Sequence, residues 1–79
     1  MSRKIKLIWD FRGEDGQKTA EHHVIHLKEF DKKEGVKSYN FGVENLNPLH
    51  SIAFMTIDES IVFKVRDALM PHRAVIEEG

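Results

Sequence analysis

Five of the 79 residues are histidine, and two of them have the spacing of a metal-binding pair. His22 and His26 are four residues apart, so on a helix they would share one face, with Glu29 one turn further along. Imidazole nitrogens at this spacing can chelate a zinc or nickel ion, and Glu29 or a partner chain could complete the ligand set. The same residues, with Lys33, also fit the solvated side of an amphipathic helix.

Two further histidines are candidates for acid/base chemistry. His23 falls on the same side of the predicted helix as Val24 and Leu27, so we expect it to be partly buried. It would then be either a structural histidine bonded to a backbone carbonyl or a loop, or a general acid/base near the start of the helix. His72 lies at the start of the last predicted strand, which should lie beside the first strand, so a small polar cluster of His72 with Asp10 or Arg12 is conceivable. The candidate catalytic residues are therefore His23, His72 and Asp10.

Candidates for ligand binding lie on one face of the predicted sheet. Arg12 could hold an acidic ligand through two parallel hydrogen bonds, while Asp10 could orient a histidine. The alternative for both residues is an ion pair at the rim of an interface. Met55 is assigned to the same face and is a second candidate for ligand contact. His50, which follows Pro48-Leu49, is interpreted as a loop residue at the entrance of a strand.

Composition and charge exclude several classes of protein. Twelve Lys plus Arg against thirteen Asp plus Glu give a net charge of −1, which leaves no positive excess for a nucleic-acid partner. The absence of Cys excludes disulfides, thiolate zinc sites and a cysteine nucleophile. No stretch approaches the ~20 apolar residues of a membrane span or has the pattern of a signal peptide, so we expect a cytoplasmic protein without a membrane partner. A chain of this size buries only about 60% of its unfolded surface, which favours self-association.

Hydrophobic periodicity divides the chain into six elements. Alternation of apolar and polar residues predicts strands at 4–12, 37–43, 50–57 and 73–77. A period near 3.6 predicts a helix over 19–34 with Thr19 as its N-cap, and a capping box over 56–59 opens a second helix that ends at Pro71. The order β-α-β-β-α-β predicts a single α+β domain of ferredoxin-like fold, with both helices on one face of a four-stranded antiparallel sheet.

The other face of this sheet is predicted to be open and half apolar. Helix-facing positions would be the odd-numbered residues of the first strand together with Tyr39, Phe41, Val43, Ile52 and Phe54. Open-face positions would be Ile8, Ala53, Met55, Ile57 and Val75, interspersed with Lys6, Asp10, Arg12 and Asn40. Because such a surface marks an interface or a groove, we expect a homodimer in which the open faces of two sheets meet. Phe63, Met70 and Ile25 are predicted to be exposed and to offer a second contact surface.

The run from His22 to Phe30, closing at Gly35, resembles the His-x-x-His-Leu helix of YCII-like small proteins in the dimeric α/β-barrel superfamily. The resemblance covers the whole chain in element order and only this helix in residues. It implies a homodimer whose two sheets enclose a small-molecule cavity. The YCII pattern also has an acidic residue before a late proline, whereas Met70 precedes Pro71 here.

The leading functional hypothesis is a homodimeric small-molecule-binding α/β barrel with histidine-based acid/base chemistry. The alternatives are a non-enzymatic interaction or structural module that uses Phe63, Met70 and the sheet face, and a metal-binding protein that uses His22 and His26.

Overall fold

A computed structural model describes residues 3–77 of the chain. The elements are β1 (Lys4–Arg12), α1 (Gly16–Glu34), β2 (Asn40–Asn47), β3 (His50–Asp58), a 3-10 turn (Glu59–Ile61), α2 (Val62–Leu69) and β4 (Arg73–Glu77). The four strands form one antiparallel sheet in the order β2-β3-β1-β4, so β1 and β3 are central. The predicted α+β class and ferredoxin-like arrangement are confirmed.

The core lies between the helices and the odd-numbered residues of β1. Leu7 is opposite Met55 and Trp9 is opposite Ala53 in the β1–β3 register, and directly opposed residues share a sheet face. On the helix side of the sheet, α1 contributes the buried residues Ala20, Val24 and Leu27 to this core. Trp9 is 3% exposed, and its Nε1 donates a hydrogen bond to the carbonyl oxygen of Leu69 over 3.0 Å. Trp9 is therefore a core residue whose one polar atom is satisfied at the end of α2.

The predicted face assignment of β3 is wrong. Ala53, Met55 and Ile57 have no exposed surface and belong to the helix-side core, whereas Ile52 and Phe54 lie on the open face. Since side chains alternate along a strand, a shift of one residue exchanges the two faces completely. Both faces of β3 are largely apolar, so its alternation could not decide between them. Pairing with β1 decides it, and Met55 is thereby removed from the open face where a ligand would bind.

Tyr39 also departs from its predicted helix-facing position. It lies just before β2 and is 54% exposed.

The first helix begins three residues earlier than predicted. It starts at Gly16 after Asp15, so Thr19 lies inside its first turn and donates a hydrogen bond from Oγ1 to the Asp15 carbonyl over 3.0 Å. A Cβ at residue 16 would come within 2.8 Å of the Phe11 carbonyl oxygen, so this close approach of α1 to β1 requires glycine. The predicted end at Gly35 is confirmed, with its left-handed φ of 63°.

The second strand extends through a stretch predicted to be a connection. β2 continues to Asn47, and the turn at Pro48 and Leu49 leads directly into β3. Asn47 Oδ1 accepts a hydrogen bond from the Leu49 backbone N–H over 2.9 Å, which stabilises the turn. A register shift between Asn45 and Asn47 accommodates one extra residue. The polar asparagines are tolerated because this part of β2 is an exposed sheet edge.

Asp58, and not Thr56, caps the 3-10 turn that leads into the second helix. The Asp58 carboxylate accepts a hydrogen bond from the Ser60 backbone N–H over 2.9 Å, whereas Thr56 is a buried residue within β3. The helix proper has only eight residues and ends at Leu69, and Met70 follows it in the left-handed conformation. Neither helix within residues 3–77 combines the length and apolarity needed to cross a membrane.

Candidate functional site

The candidate site lies on the open face of the sheet, where β1 ends and β3 begins. The strand register places Arg12 opposite His50 and Arg73 opposite Ile8, so the side chains of β1 residues 8, 10 and 12 share one face with His50 and Arg73. Three of these residues, Asp10, His50 and Arg73, form together with His72 what we call the Asp10 cluster.

The carboxylate of Asp10 is held in a fixed orientation by Arg73. Arg73 Nε donates to Asp10 Oδ2 over 3.0 Å, and Arg73 Nη2 donates to Oδ1 over 2.8 Å. Two parallel charge-assisted bonds of this kind fix both the position and the plane of the carboxylate. The Asp10 side chain is 17% exposed and that of Arg73 is 49% exposed, so the pair lies at the border between the sheet and solvent.

His50 is held by the same carboxylate. Its Nε2 lies 2.8 Å from Asp10 Oδ1, and its side chain is 13% exposed. Burial alone would raise the pKa of Asp10, but hydrogen bonds from Arg73 and His50, together with their positive charges, hold this pKa below its ordinary value. The carboxylate is therefore ionised at neutral pH and can only accept hydrogen bonds, so His50 Nε2 carries the proton. In the neutral ring, Nδ1 is then the nitrogen with the free lone pair.

His72 is close to Asp10, as the sequence predicts, but it contacts the backbone as well as the carboxylate. Its Nδ1 accepts a hydrogen bond from the Asp10 backbone N–H over 2.9 Å and lies 4.0 Å from Asp10 Oδ2. The imidazole thus continues the β1–β4 ladder beyond Arg73, next to Pro71, which has no N–H. Because Nδ1 is already occupied as an acceptor, this nitrogen is not available as a general base.

Arg12 provides a positive charge beside His50. It is exposed and opposite His50 in the strand register, and within residues 3–77 it forms no hydrogen bond or ion pair with another side chain. The guanidinium is therefore available to bind an anion next to the oriented imidazole.

The rest of the open face is covered by its own side chains. The Phe54 ring lies over Gly42, where an added Cβ would come within 2.5 Å of the ring. Above it, Lys6 Nζ lies 4.3 Å from the ring centroid and forms a 3.2 Å ion pair with Glu44. The two isoleucines beneath this layer, Ile8 and Ile52, are only 5% and 3% exposed. The open face is thus a polar layer over a small apolar floor.

His23 is partly buried, as predicted, but on the opposite side of the sheet from the Asp10 carboxylate. Its ring packs against Trp9 and Phe11 at centroid distances of 4.8 and 5.5 Å. Its Nε2 is buried and has no hydrogen-bond partner within residues 3–77, so the predicted structural hydrogen bond is not formed at that nitrogen. Burial lowers the pKa of His23, and the charges of His26 and His72 lower it further.

The predicted metal ligands are exposed on α1. His26 Nδ1 lies 4.0 Å from Glu29 Oε2, and both side chains are at least 70% exposed. Nowhere in the described part of the chain do three or more His, Asp or Glu side chains group as a metal ion requires. An ion bound by His22, His26 and Glu29 would need water or a second chain to complete its coordination, and this metal site stays a prediction.

A polar pocket of about 380 Å³ lies on the helix side, between the start of α1 and the β2–β3 turn. Ser51 Oγ donates to Asn45 Oδ1 over 2.8 Å, and Asn45 Nδ2 donates to Gln17 Oε1 over 3.0 Å. These three side chains satisfy one another, and none of the predicted site residues lines the pocket. The sheet separates it from the Asp10 cluster.

Sequence reasoning missed His50 and Arg73. His50 is the first residue of β3, where the predicted strand over 50–57 also begins, but its interpretation as a loop residue gives it no role in the site, and Arg73 is likewise given none. The missing information was the strand register, since full antiparallel pairing of residues 4–12 with 50–58 places Arg12 opposite His50. The same reasoning applied to β4 places Arg73 diagonally next to Asp10 on one face.

The chain matches no protein-family model, and it matches neither a curated protein nor a solved structure. The resemblance to YCII-like small proteins stays a prediction that depends on the residues of α1.

Proposed function

We propose that this protein binds a small acidic molecule on the open face of its sheet and that His50 exchanges a proton with it. The observation that carries this proposal is the 2.8 Å contact between His50 Nε2 and Asp10 Oδ1. A carboxylate behind one ring nitrogen orients the imidazole and leaves the other ring nitrogen to exchange a proton with a ligand. His50 takes the role that the sequence suggested for His23 or His72.

The roles of the neighbouring residues follow from their contacts. Arg12 anchors a carboxylate or phosphate group of the ligand, because its guanidinium has no partner within residues 3–77. Arg73 holds Asp10, and Asp10 holds His50. When Nδ1 of His50 takes a proton from the ligand, the imidazolium that forms is paired with Asp10 and the ligand carries the negative charge beside Arg12.

Anion binding is tested by titrating the protein with acetate, succinate and inorganic phosphate while recording amide and histidine-ring NMR shifts. We expect saturable shifts at Arg12 and His50 for at least one probe. The Arg12→Gln variant should bind that probe about 10- to 100-fold more weakly, which corresponds to the roughly 1.5–3 kcal/mol of a charged hydrogen bond. Arg3→Gln is the matched control, since Arg3 is exposed just before β1. Equal binding by both variants, or no saturation by any probe, would contradict the proposal.

The orientation of the His50 ring by Asp10 can be tested separately by NMR. Ring ¹⁵N shifts should show the proton on Nε2 of His50 at pH values where the ring is neutral. In Asp10→Asn this preference should weaken, because a carboxamide can also donate to the ring. An unchanged ratio of the two tautomers would show that Asp10 does not orient His50.

An interaction module is the second candidate, and the exposed apolar residues of the α2 region favour it. Phe63 and Met70 are 65% and 72% exposed, which confirms their predicted exposure. A pull-down that returns one stoichiometric partner, and loses it in the Phe63→Ser variant, would support this candidate. A homodimer through the open face and a cytoplasmic location stay predictions.

A further inference from the structure

The two edges of the sheet differ in their protection against pairing with another chain. β2 forms one edge and has a bulge between Asn45 and Asn47, with exposed polar side chains at Asn40, Glu44, Asn45 and Asn47. Bulges and charged or polar side chains are the features by which proteins prevent edge strands from pairing. The β2 edge therefore has these protective features.

β4 forms the other edge and lacks such protection along its centre. Within residues 3–77 it pairs only with β1, and its central residues Ala74, Val75 and Ile76 are all exposed. Val75 is 45% exposed on the open face, and Ile76 is 51% exposed on the helix side, because the short α2 leaves this strand uncovered. A straight apolar edge of this kind is a template for an added strand.

The charges of β4 are self-complementary, and we propose that two copies of this chain pair antiparallel through their β4 strands, about a two-fold axis at Val75. In that register Arg73 at one end is opposite Glu77 of the second copy, and Ala74 is opposite Ile76 of the second copy. The two-fold axis produces each pair twice. Each Arg73–Glu77 pair brings opposite charges together, and each Ala74–Ile76 pair brings two apolar side chains together on the helix side of the sheet. The two sheets become one continuous sheet of eight strands.

This pairing adds a residue beside the Asp10 cluster. Arg73 uses its Nε–H and one Nη2–H on Asp10, and three of its five N–H groups are left to bind elsewhere. Within its own chain, Glu77 Oε2 accepts a hydrogen bond from Thr56 Oγ1 over 3.0 Å. The second oxygen, Oε1, of Glu77 in the second copy would lie next to those groups and would help hold Arg73, the residue that positions Asp10. The dimer differs from one through the open face, because its contact follows the strand edge and includes the helix side.

The contact is small, so we expect a weak dimer. Each copy offers a five-residue strand, which is less than a stable interface of about 1,200 Å² or more provides. Sedimentation of the full chain should accordingly show a monomer at low concentration and a dimer that grows as the concentration rises.

Cysteine cross-linking tests the register directly, because the chain contains no cysteine of its own. Val75→Cys places the two thiols opposite each other at the axis, within the Cα separation that a disulfide spans. Ile76→Cys is the matched control, since residue 76 is opposite residue 74 of the second copy. Under mild oxidation we expect a disulfide-linked dimer for Val75→Cys and little for Ile76→Cys. Equal cross-linking of both variants would overturn the proposed register.

A charge on the helix side separates this dimer from one through the open face. Ile76→Lys should abolish the dimer in sedimentation experiments, whereas Leu49→Lys, at a residue of similar exposure in the β2–β3 turn, should not. A protein that stays monomeric at every concentration, or a dimer that survives Ile76→Lys while Val75→Cys fails to cross-link, overturns the proposal. Circular dichroism of each variant confirms that the monomer is folded.

Discussion

The two faces of β1 exclude water by different means. On the helix side, Leu7 and Trp9 are buried by apolar packing against α1 and β3. On the open side, Ile8 is nearly as well buried, at 5% exposure, although no helix covers it. There the cover is a layer of side chains joined by ion pairs and hydrogen bonds. Apolar packing dominates the first face, where Trp9 donates one hydrogen bond to the Leu69 carbonyl, whereas the second face fixes Asp10, His50 and Arg73 to within hydrogen-bond distances.

The largest loss of stability should come from a substitution in the core on the helix side. Met55→Ala removes a fully buried side chain and leaves a cavity, so we expect a loss of about 2–5 kcal/mol in the free energy of unfolding, measured by urea denaturation. Val75→Ala on the exposed edge should cost much less in dilute solution. If the two variants lose similar stability, Met55 is not a core residue and the corrected face of β3 is itself wrong.

Removal of the Asp10 charge from the open face should lower the free energy of unfolding by less than Met55→Ala does. Asp10→Asn breaks charged hydrogen bonds with Arg73 and His50, for which we expect a loss of about 1.5–3 kcal/mol near neutral pH. Because the pKa of Asp10 is lower in the folded than in the unfolded protein, its contribution is present above about pH 3.8 and is lost as the pH falls through the folded value. The stability of wild type and variant should therefore converge in acid.

The matched control for this charge is Asp67→Asn. Asp67 is 73% exposed and its contact with Arg66 is 3.5 Å long, so its removal should change stability by a few tenths of a kcal/mol. A large effect of Asp67→Asn would mean that net charge, and not the Asp10 cluster, controls stability.

The difference between the two faces also explains which features the sequence could predict. Residues 4–12 were predicted with their observed bounds because one face of β1 is strongly apolar and the other mainly polar. β3 is apolar on both faces, so its local pattern was compatible with either orientation. The roles of His50 and Arg73 depend on strand register, which is a long-range property. A histidine after a proline-containing turn has no local feature that shows it will face a carboxylate forty residues away.

The layer over the open face depends on one glycine. In Gly42→Ala the new Cβ would lie 2.5 Å from the Phe54 ring, so the ring must move and uncover the apolar floor. We expect a loss of about 1–3 kcal/mol by chemical denaturation, in the range of other overpacking substitutions. The double variant Gly42→Ala, Phe54→Leu tests the cause, because the smaller side chain leaves room for the methyl group. Its cost should be less than the sum of the two single costs, and simple additivity would exclude the ring contact as the reason.

The smallest effect should be the pH dependence of stability that His23 causes on the helix side. The pKa of His23 is lowered from its ordinary value of 6.5 in the folded protein, so the unfolded chain binds a proton first as the pH falls. Stability should therefore be complete above about pH 6.5 and decline below it until the folded group also titrates. His23→Phe keeps a ring beside Trp9 and Phe11 and should flatten this decline, measured by thermal unfolding between neutral pH and pH 5.

His22→Gln removes a neighbouring histidine whose side chain is exposed, and it should leave the decline in place. If His23→Phe retains the full decline, the titrating group lies elsewhere, and the buried Nε2 of His23 does not limit stability in acid. The pH range in which stability is lost distinguishes the contributions of the two faces. A loss of stability that begins below pH 6.5 belongs to an imidazole among aromatic rings, and one that begins near pH 3.8 belongs to the carboxylate that holds His50.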